Sequence, residues 1–247
     1  MTVETRAGPG LRDTELDGAP YRPVPWSGRE MLAGTVAAVI LAILPVVLLT
    51  VGAEALSLGE ARLVLLRRPA IALAELLLIV PPLVVARRHA RGPGWLGLRP
   101  FRILPGIALG CLFITVSLGI NLVWSLLIGF LGMETQPNYM PLFGSGVSAL
   151  AWALFGGAVV APFTEEVFFR GFLFAGLREK LGLAGGLLGS AGLFALVHFT
   201  PTAIVPIFVL GVFLALLYEL SDSLWPGIIM HGVINALALT ASFLAVR

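Results

Sequence analysis

Seven apolar stretches, at residues 31–53, 69–86, 103–132, 148–177, 183–199, 202–219 and 226–245, alternate along the chain with short polar connections. About 20 apolar helical residues cross a bilayer core, so this pattern predicts an all-α, polytopic transmembrane helix bundle of about seven spans, or eight if a further segment crosses. The 148–177 stretch is longer than one crossing, and Gly156, Gly157 and Pro162 are placed to bend it. Residues 1–30 are polar, with Pro9, Pro20, Pro23 and Pro25 among arginines and acidic residues, and read as a flexible tail. Trp26 reads as an interface marker. The tail has no short apolar core followed by a small-residue cleavage site, so the first apolar stretch is expected to stay as an anchor. The chain therefore divides into a tail (1–30), N-terminal membrane spans (31–147) and a C-terminal membrane core (148–247).

Composition strengthens the membrane reading. The sequence is 58% hydrophobic and 12% charged, with a mean hydropathy of +0.97, far more apolar than an ordinary soluble domain. Its net charge of +2 is small and its basic residues lie in loops, which argues against a nucleic-acid partner. Arg87, Arg88, Arg91, Arg99 and Arg102 share one side, on a seven-span count, with Arg170, Arg178, Lys180 and the tail arginines Arg6, Arg12, Arg22 and Arg29. That side is expected to be cytoplasmic, with the N-terminus there. The opposing loop from Gly132 to Gly146 has no Lys or Arg, whereas Arg62, Arg67 and Arg68 fall on the opposite side from the rule. The lone Cys111 rules out an internal disulfide and reads as an inert packing thiol. Gly106 with Gly110, Gly182 with Gly186 and Gly185 with Gly189 have the spacing of close helix contacts.

Charge inside the apolar stretches carries the candidate chemistry. Glu165, Glu166 and Arg170 lie within the fourth stretch, where a carboxylate costs about 3 kcal/mol and usually faces a polar interior. Glu166 and Arg170 are four apart and share a helix face. Glu165 is rotated about 100° from that face, free to point elsewhere, and is the better candidate base. The trio also reads as a packing ion cluster, or as interfacial charge if the helix ends near Glu165. His198 ends the fifth stretch; His231 and Asn235, four apart on the last, can address the same atom. A rise of about 1.5 Å per residue places Glu165, His198 and His231 roughly 13 to 24 Å below one surface, a depth that permits convergence. Glu75 in the second stretch either faces a cavity or hydrogen-bonds Asn121, and stays outside the catalytic set. His89 reads as a solvated or headgroup contact, and Phe168, Phe169 and Phe172 as packing or lipid-facing aromatics that could also line a substrate path.

Three segments, Glu165-Glu166-Val167-Phe168-Phe169-Arg170, Phe194-Ala195-Leu196-Val197-His198 and His231-Gly232-Val233-Ile234-Asn235, resemble the EExxxR, FxxxH and HxxxN motifs of the CPBP intramembrane endopeptidases. That family includes type II CAAX prenyl proteases and bacteriocin-processing or immunity relatives. The turn Ser221-Asp222-Ser223-Leu224-Trp225-Pro226 resembles the family pattern too, and the likeness covers about residues 148 to 240. The resemblance implies hydrolysis of a peptide bond in a membrane-associated or lipidated peptide or protein, in a bacterial cell membrane. Glu165, helped by His198, would activate water; Glu166 and Arg170 would hold the site; His231 and Asn235 would stabilise the oxyanion. It favours a mechanism without cofactor. Two histidines and a glutamate match a zinc site in residue type, but the HExxH spacing that pre-forms one is missing, and zinc stays as the alternative. A non-catalytic membrane scaffold or immunity-type protein is the second reading. A transporter would show duplicated halves or broken helix pairs more clearly.

Overall fold

The computed structural model describes residues 23–90, 92–133 and 138–245. Most of the expected tail, with Arg6, Arg12 and Arg22, lies outside the described residues, as does Arg91. Helix α1 (Gly28–Ala55) starts earlier than its apolar pattern because Ser27 and Glu30 form a capping box: Glu30 N donates to Ser27 Oγ at 3.2 Å, and Ser27 N to Glu30 Oε2 at 2.8 Å. Residues 28–30 thus belong to the helix rather than the tail. Glu30 also lies 3.4 Å from His89 Nε2, so His89 ties two helix ends together and is not simply a solvent or headgroup contact.

Helix α2 (Glu60–Leu78) passes through Pro69 and yields at Ile79 to α3 (Val80–Arg87). Pro81 and Pro82 cause that break, since neither has an N–H to continue the ladder. Together they form one apolar 28-residue span. Helix α4 (Ile103–Phe130) follows. The next helical run comprises α5 (Gly146–Leu154), a π-helical turn at Phe155–Val160, α6 (Ala161–Glu165), a longer π-helical segment at Glu166–Phe174 and α7 (Ala175–Leu196). Helix α8 (Ile204–Ser221) ends at left-handed Asp222, before α9 (Trp225–Ala245).

Among the described residues, six helices are long and apolar enough to cross a membrane. The fourth, Gly146–Leu196, doubles back at Gly182, whose φ of 73° and ψ of −179° interrupt α7. That left-handed backbone suits glycine because it lacks a Cβ. Beyond it the chain packs on its own preceding turns: Ser190 Oγ donates to Phe169 O at 3.2 Å, and a Cβ on Gly186 would lie 3.0 Å from Arg178 Cα. The 148–177 and 183–199 stretches are the two arms of this hairpin. Of the glycine pairs, Gly186 therefore serves close contact, and Gly182 serves the reversal.

No strand occurs among the described residues. Large apolar side chains such as Leu48, Leu104, Leu122, Val123 and Phe130 stand outward, as a lipid-facing surface requires. Cys111 is on that outer surface and is not a packed thiol. The core gathers Phe168, Phe169, Phe172, Leu173 and Phe194 with Leu96 and Leu224. Trp26 joins it: the ring is 2% exposed, 5.2 Å from Phe172, and occupies the room left by Gly176. It is an inner anchor rather than an interface marker, because Gly176 and Phe172 shape a slot that buries more of the indole than a headgroup layer would.

Gly171 is the tightest approach of the hairpin to a loop. A Cβ there would lie 2.5 Å from the Leu96 carbonyl oxygen, a backbone atom that cannot swing aside. Gly171→Ala is expected to destabilise the protein by about 1–3 kcal/mol through overpacking. Gly119→Ala, where nothing lies within 4 Å, should be neutral or gain up to about 1 kcal/mol. Thermal unfolding of both variants in detergent measures the contrast.

Candidate active site

Three elements bring the polar residues together. Glu165 closes α6 and Glu166 opens the second π-helical segment, so the helix continues through the carboxylate pair and does not end there. π-Helical turns are rare and often accompany functional sites. His198 lies in the turn just beyond α7, and His231 and Asn235 lie on α9.

Glu166 is the buried centre. Its Oε1 accepts from Arg170 Nη1 at 2.7 Å and lies 3.0 Å from His231 Nδ1. Glu166, Arg170 and His231 are all essentially sealed, at 0%, 0% and 1% exposure. Arg170 Nη2 also donates to Gly211 O at 3.1 Å, and its guanidinium carbon stands 4.4 Å from the Phe194 ring centroid. This cation–π contact offsets part of the cost of burying the charge. Gly227 allows the approach, since a Cβ there would come within 3.2 Å of Glu166 Oε2.

Glu165 points elsewhere. Its Oε2 lies 3.6 Å from His231 Nε2 and has no hydrogen-bond partner. The imidazole of His231 is thus set between two carboxylates, Glu166 at Nδ1 and Glu165 at Nε2. His198 Nδ1 donates to Phe194 O at 2.7 Å. A carbonyl can only accept, so this bond puts the proton on Nδ1 and leaves Nε2 as a free acceptor in the neutral ring. Asn235 Nδ2 donates one of its two hydrogens to Gly157 O at 2.7 Å, across to the first π-helical turn.

His198 is a wall of two cavities. The larger, of about 290 Å³, is bounded by α1, α2, the second π-helical segment and the turn after α7; its polar lining is Glu75, Glu165 and His198. The smaller, of about 150 Å³, lies against α4, and His198, His231, Asn235, Ser117 and Asn121 line it. The six expected site residues therefore form one connected group, arranged around two adjoining spaces. Glu166 and Arg170 line neither and brace the group from behind. Among the described residues, no three His, Cys, Asp or Glu side chains are grouped to hold a metal ion.

Residues 147–237 match the Rce1-like family, described as type II CAAX prenyl endopeptidase Rce1-like. Over this segment the chain is similar to that family of prenyl endopeptidases. No curated protein and no solved structure matches the chain. The Rce1-like segment holds Glu165, Glu166, Arg170, His198, His231 and Asn235, whereas Glu75, Ser117 and Asn121 lie outside it.

Some participants are not apparent from the motifs. Glu75 lines the chamber of Glu165, while Asn121 lines the other one, so the pairing of Glu75 with Asn121 does not form. An intramembrane carboxylate was the available signal. Phe168 and Phe169 line the larger cavity as well as packing in the core, and Phe172 is wholly buried. The carbonyls of Gly157 and Gly211 receive Asn235 and Arg170, and backbone acceptors leave no mark in a motif.

The buried pair makes a sharp stability test. Arg170→Leu leaves Glu166 without its cation and is expected to cost about 3–5 kcal/mol. The double variant Glu166→Leu/Arg170→Leu, which removes both charges, should recover part of that loss. Unfolding midpoints of the two variants in the same detergent give the comparison.

Proposed function

We propose that the chain is an intramembrane endopeptidase that hydrolyses a peptide bond of a membrane-associated or lipidated peptide or protein, with Glu165 activating the attacking water. The observation that carries this reading is the position of Glu165. Its carboxylate opens on a chamber, has an oxygen without a hydrogen-bond partner, and faces an imidazole whose far nitrogen is held by Glu166. The Rce1-like match supports proteolysis as the reaction class.

In this reading Glu165 takes one proton from water as the water oxygen bonds to the scissile carbonyl carbon. The free Nε2 of His198 accepts a hydrogen bond from a second water of the chamber, which donates its other hydrogen to the attacking oxygen and so helps orient it. The carbonyl oxygen becomes an oxyanion, stabilised by the second Asn235 N–H and, when the ring carries a proton on both nitrogens, by the Nε2–H of His231. Such donors act mainly on the developing charge. The carbon–nitrogen bond then breaks, and the nitrogen leaves as an amine with the proton held by Glu165. The products are a carboxylate and an amine. Glu166 and Arg170 fix the imidazole and do not touch substrate. The apolar wall of the larger cavity, with Val39, Ile43, Leu78 and Phe168, suits an aliphatic chain on the substrate.

The proposal includes a cytoplasmic N-terminus and a bacterial cell membrane, and a mechanism in which these side chains work without a metal. In proteoliposomes with a reporter peptide, Glu165→Gln is expected to lower kcat by about 10²–10⁴-fold, the usual contribution of a general base. Asn235→Ala should lower it by about 10²–10³-fold. Protein stripped of zinc, checked by elemental analysis, should keep its activity. Comparative proteomics of released peptides in cells carrying the intact protein or Glu165→Gln at equal expression decides between enzyme and scaffold: identical profiles would favour the scaffold.

A further inference from the structure

We infer that Glu75, on α2 and outside the Rce1-like segment, is a water-positioning residue of the Glu165 chamber. The inference rests on the proteolytic reading above and adds a group that none of the three motifs contains. Glu75, Glu165 and His198 are the polar side chains lining a cavity of about 290 Å³ whose other walls are apolar. At about 30 Å³ of liquid volume per water, that space admits several waters.

A membrane-buried carboxylate costs about 3 kcal/mol on insertion scales and is tolerated when it meets a partner or a hydrated cavity. Among the described residues, no lysine or arginine lines this cavity. The charged and titratable groups on its far side are Glu165 itself, His198, and, behind them, His231, Glu166 and Arg170; the last two are already bound to each other. On its own helix, the positions one turn away are Ile71, Ala72, Leu78 and Ile79, none of which can hydrogen-bond through its side chain. Thr164 is placed to donate a hydrogen bond to the Glu75 carboxylate, but it has a single hydroxyl proton, for which the carbonyls of Val160 and Ala161 compete at 3.1 and 3.2 Å. Thr164 thus fills at most one acceptor site of a carboxylate that has several. Water in the chamber is the partner for the rest.

Two carboxylates facing one water divide its hydrogens. Glu165 receives the proton that is transferred, and Glu75 accepts a hydrogen bond from the hydrogen that stays on oxygen. The water lone pair is then aimed away from both carboxylates, toward the carbonyl carbon. No proton is transferred to or from Glu75, so the balance of the hydrolysis is unchanged. Glu75 acts through water position, and its loss should appear in kcat rather than KM.

The test uses the full chain in nanodiscs, with the same reporter peptide, comparing Glu75→Ala, Glu75→Gln and Glu165→Gln. Glu75→Ala is expected to lower kcat by about 10²-fold, the scale of a misplaced reacting group, with KM changed by less than about twofold and the unfolding midpoint unaltered. Glu75→Gln keeps an acceptor oxygen and should lose less. Added formate, which can enter the vacated space, should restore part of the Glu75→Ala rate and none of the Glu165→Gln rate. The inference is overturned if Glu75→Ala keeps its kcat, or if it and Glu75→Gln lose activity together with stability and formate restores nothing. Glu165→Gln reports separately: activity retained there would sink the proteolytic reading itself, whereas a dead Glu165→Gln beside a fully active Glu75→Ala would remove Glu75 alone.

Discussion

Glu166 is a carboxylate with no access to water, and the C-terminal half of the chain is arranged around its Oε1. Arg170 supplies the countercharge at 2.7 Å from within the same helical segment, and His231 approaches to 3.0 Å from α9. Removing charge from water is so costly that the Coulomb attraction offsets it only with good geometry. That requirement fixes the rotation of α9 about its axis. It also brings Arg170 under Gly211 of α8, to whose carbonyl it donates, and over the ring of Phe194 on α7. One buried anion thus links the second π-helical segment to three neighbouring helices.

The π-helical geometry has a local setting in the sequence. Pro162 cannot donate a backbone N–H, and Gly156 and Gly157 lack side chains that would hold a tighter turn. A wider helix can form on both sides of α6. The result separates the two adjacent glutamates in role. Glu166 turns inward to Arg170, and Glu165 turns to a cavity and to the opposite nitrogen of His231. The Gly157 carbonyl, in the first π-helical turn, is where Asn235 is held. A regular α-helix through residues 155–174 would direct these groups differently.

What the sequence made legible follows from how local each feature is. The Glu166–Arg170 pair depends on a spacing of four, and the spacing was visible. The hairpin at Gly182 appeared as two apolar stretches around a glycine, which is enough to place a reversal. Trp26 was misread because an amphipathic indole suits an interface and a core equally; Gly176 and Phe172, nearly 150 residues away in sequence, decide the matter. Cys111 was misread for the converse reason, since an apolar helix without a clear stripe gives no sign of which side meets lipid. Glu75 was noticed as a buried charge, but which cavity it faces depends on how α2 lies against α6. The division of the site into two spaces at His198 was invisible for the same reason.

The family match covers 147–237 and leaves out α1, α2 and α4, a boundary with a physical basis. Hydrogen-bonded groups such as Glu166, Arg170, His231 and Asn235 must meet within a few tenths of an ångström, so residue type and spacing are tightly constrained. Cavity walls built by Val39, Ala42, Ile43 and Leu118 must only be apolar and of suitable volume. Many sequences meet that weaker condition, and a profile of residues has little to recognise there. Yet these helices close both spaces beside His198, so they set the size and apolar character of those spaces. The hydrogen-bonded polar groups come from one part of the sequence and the shape of the space around them from another, so the two can vary separately.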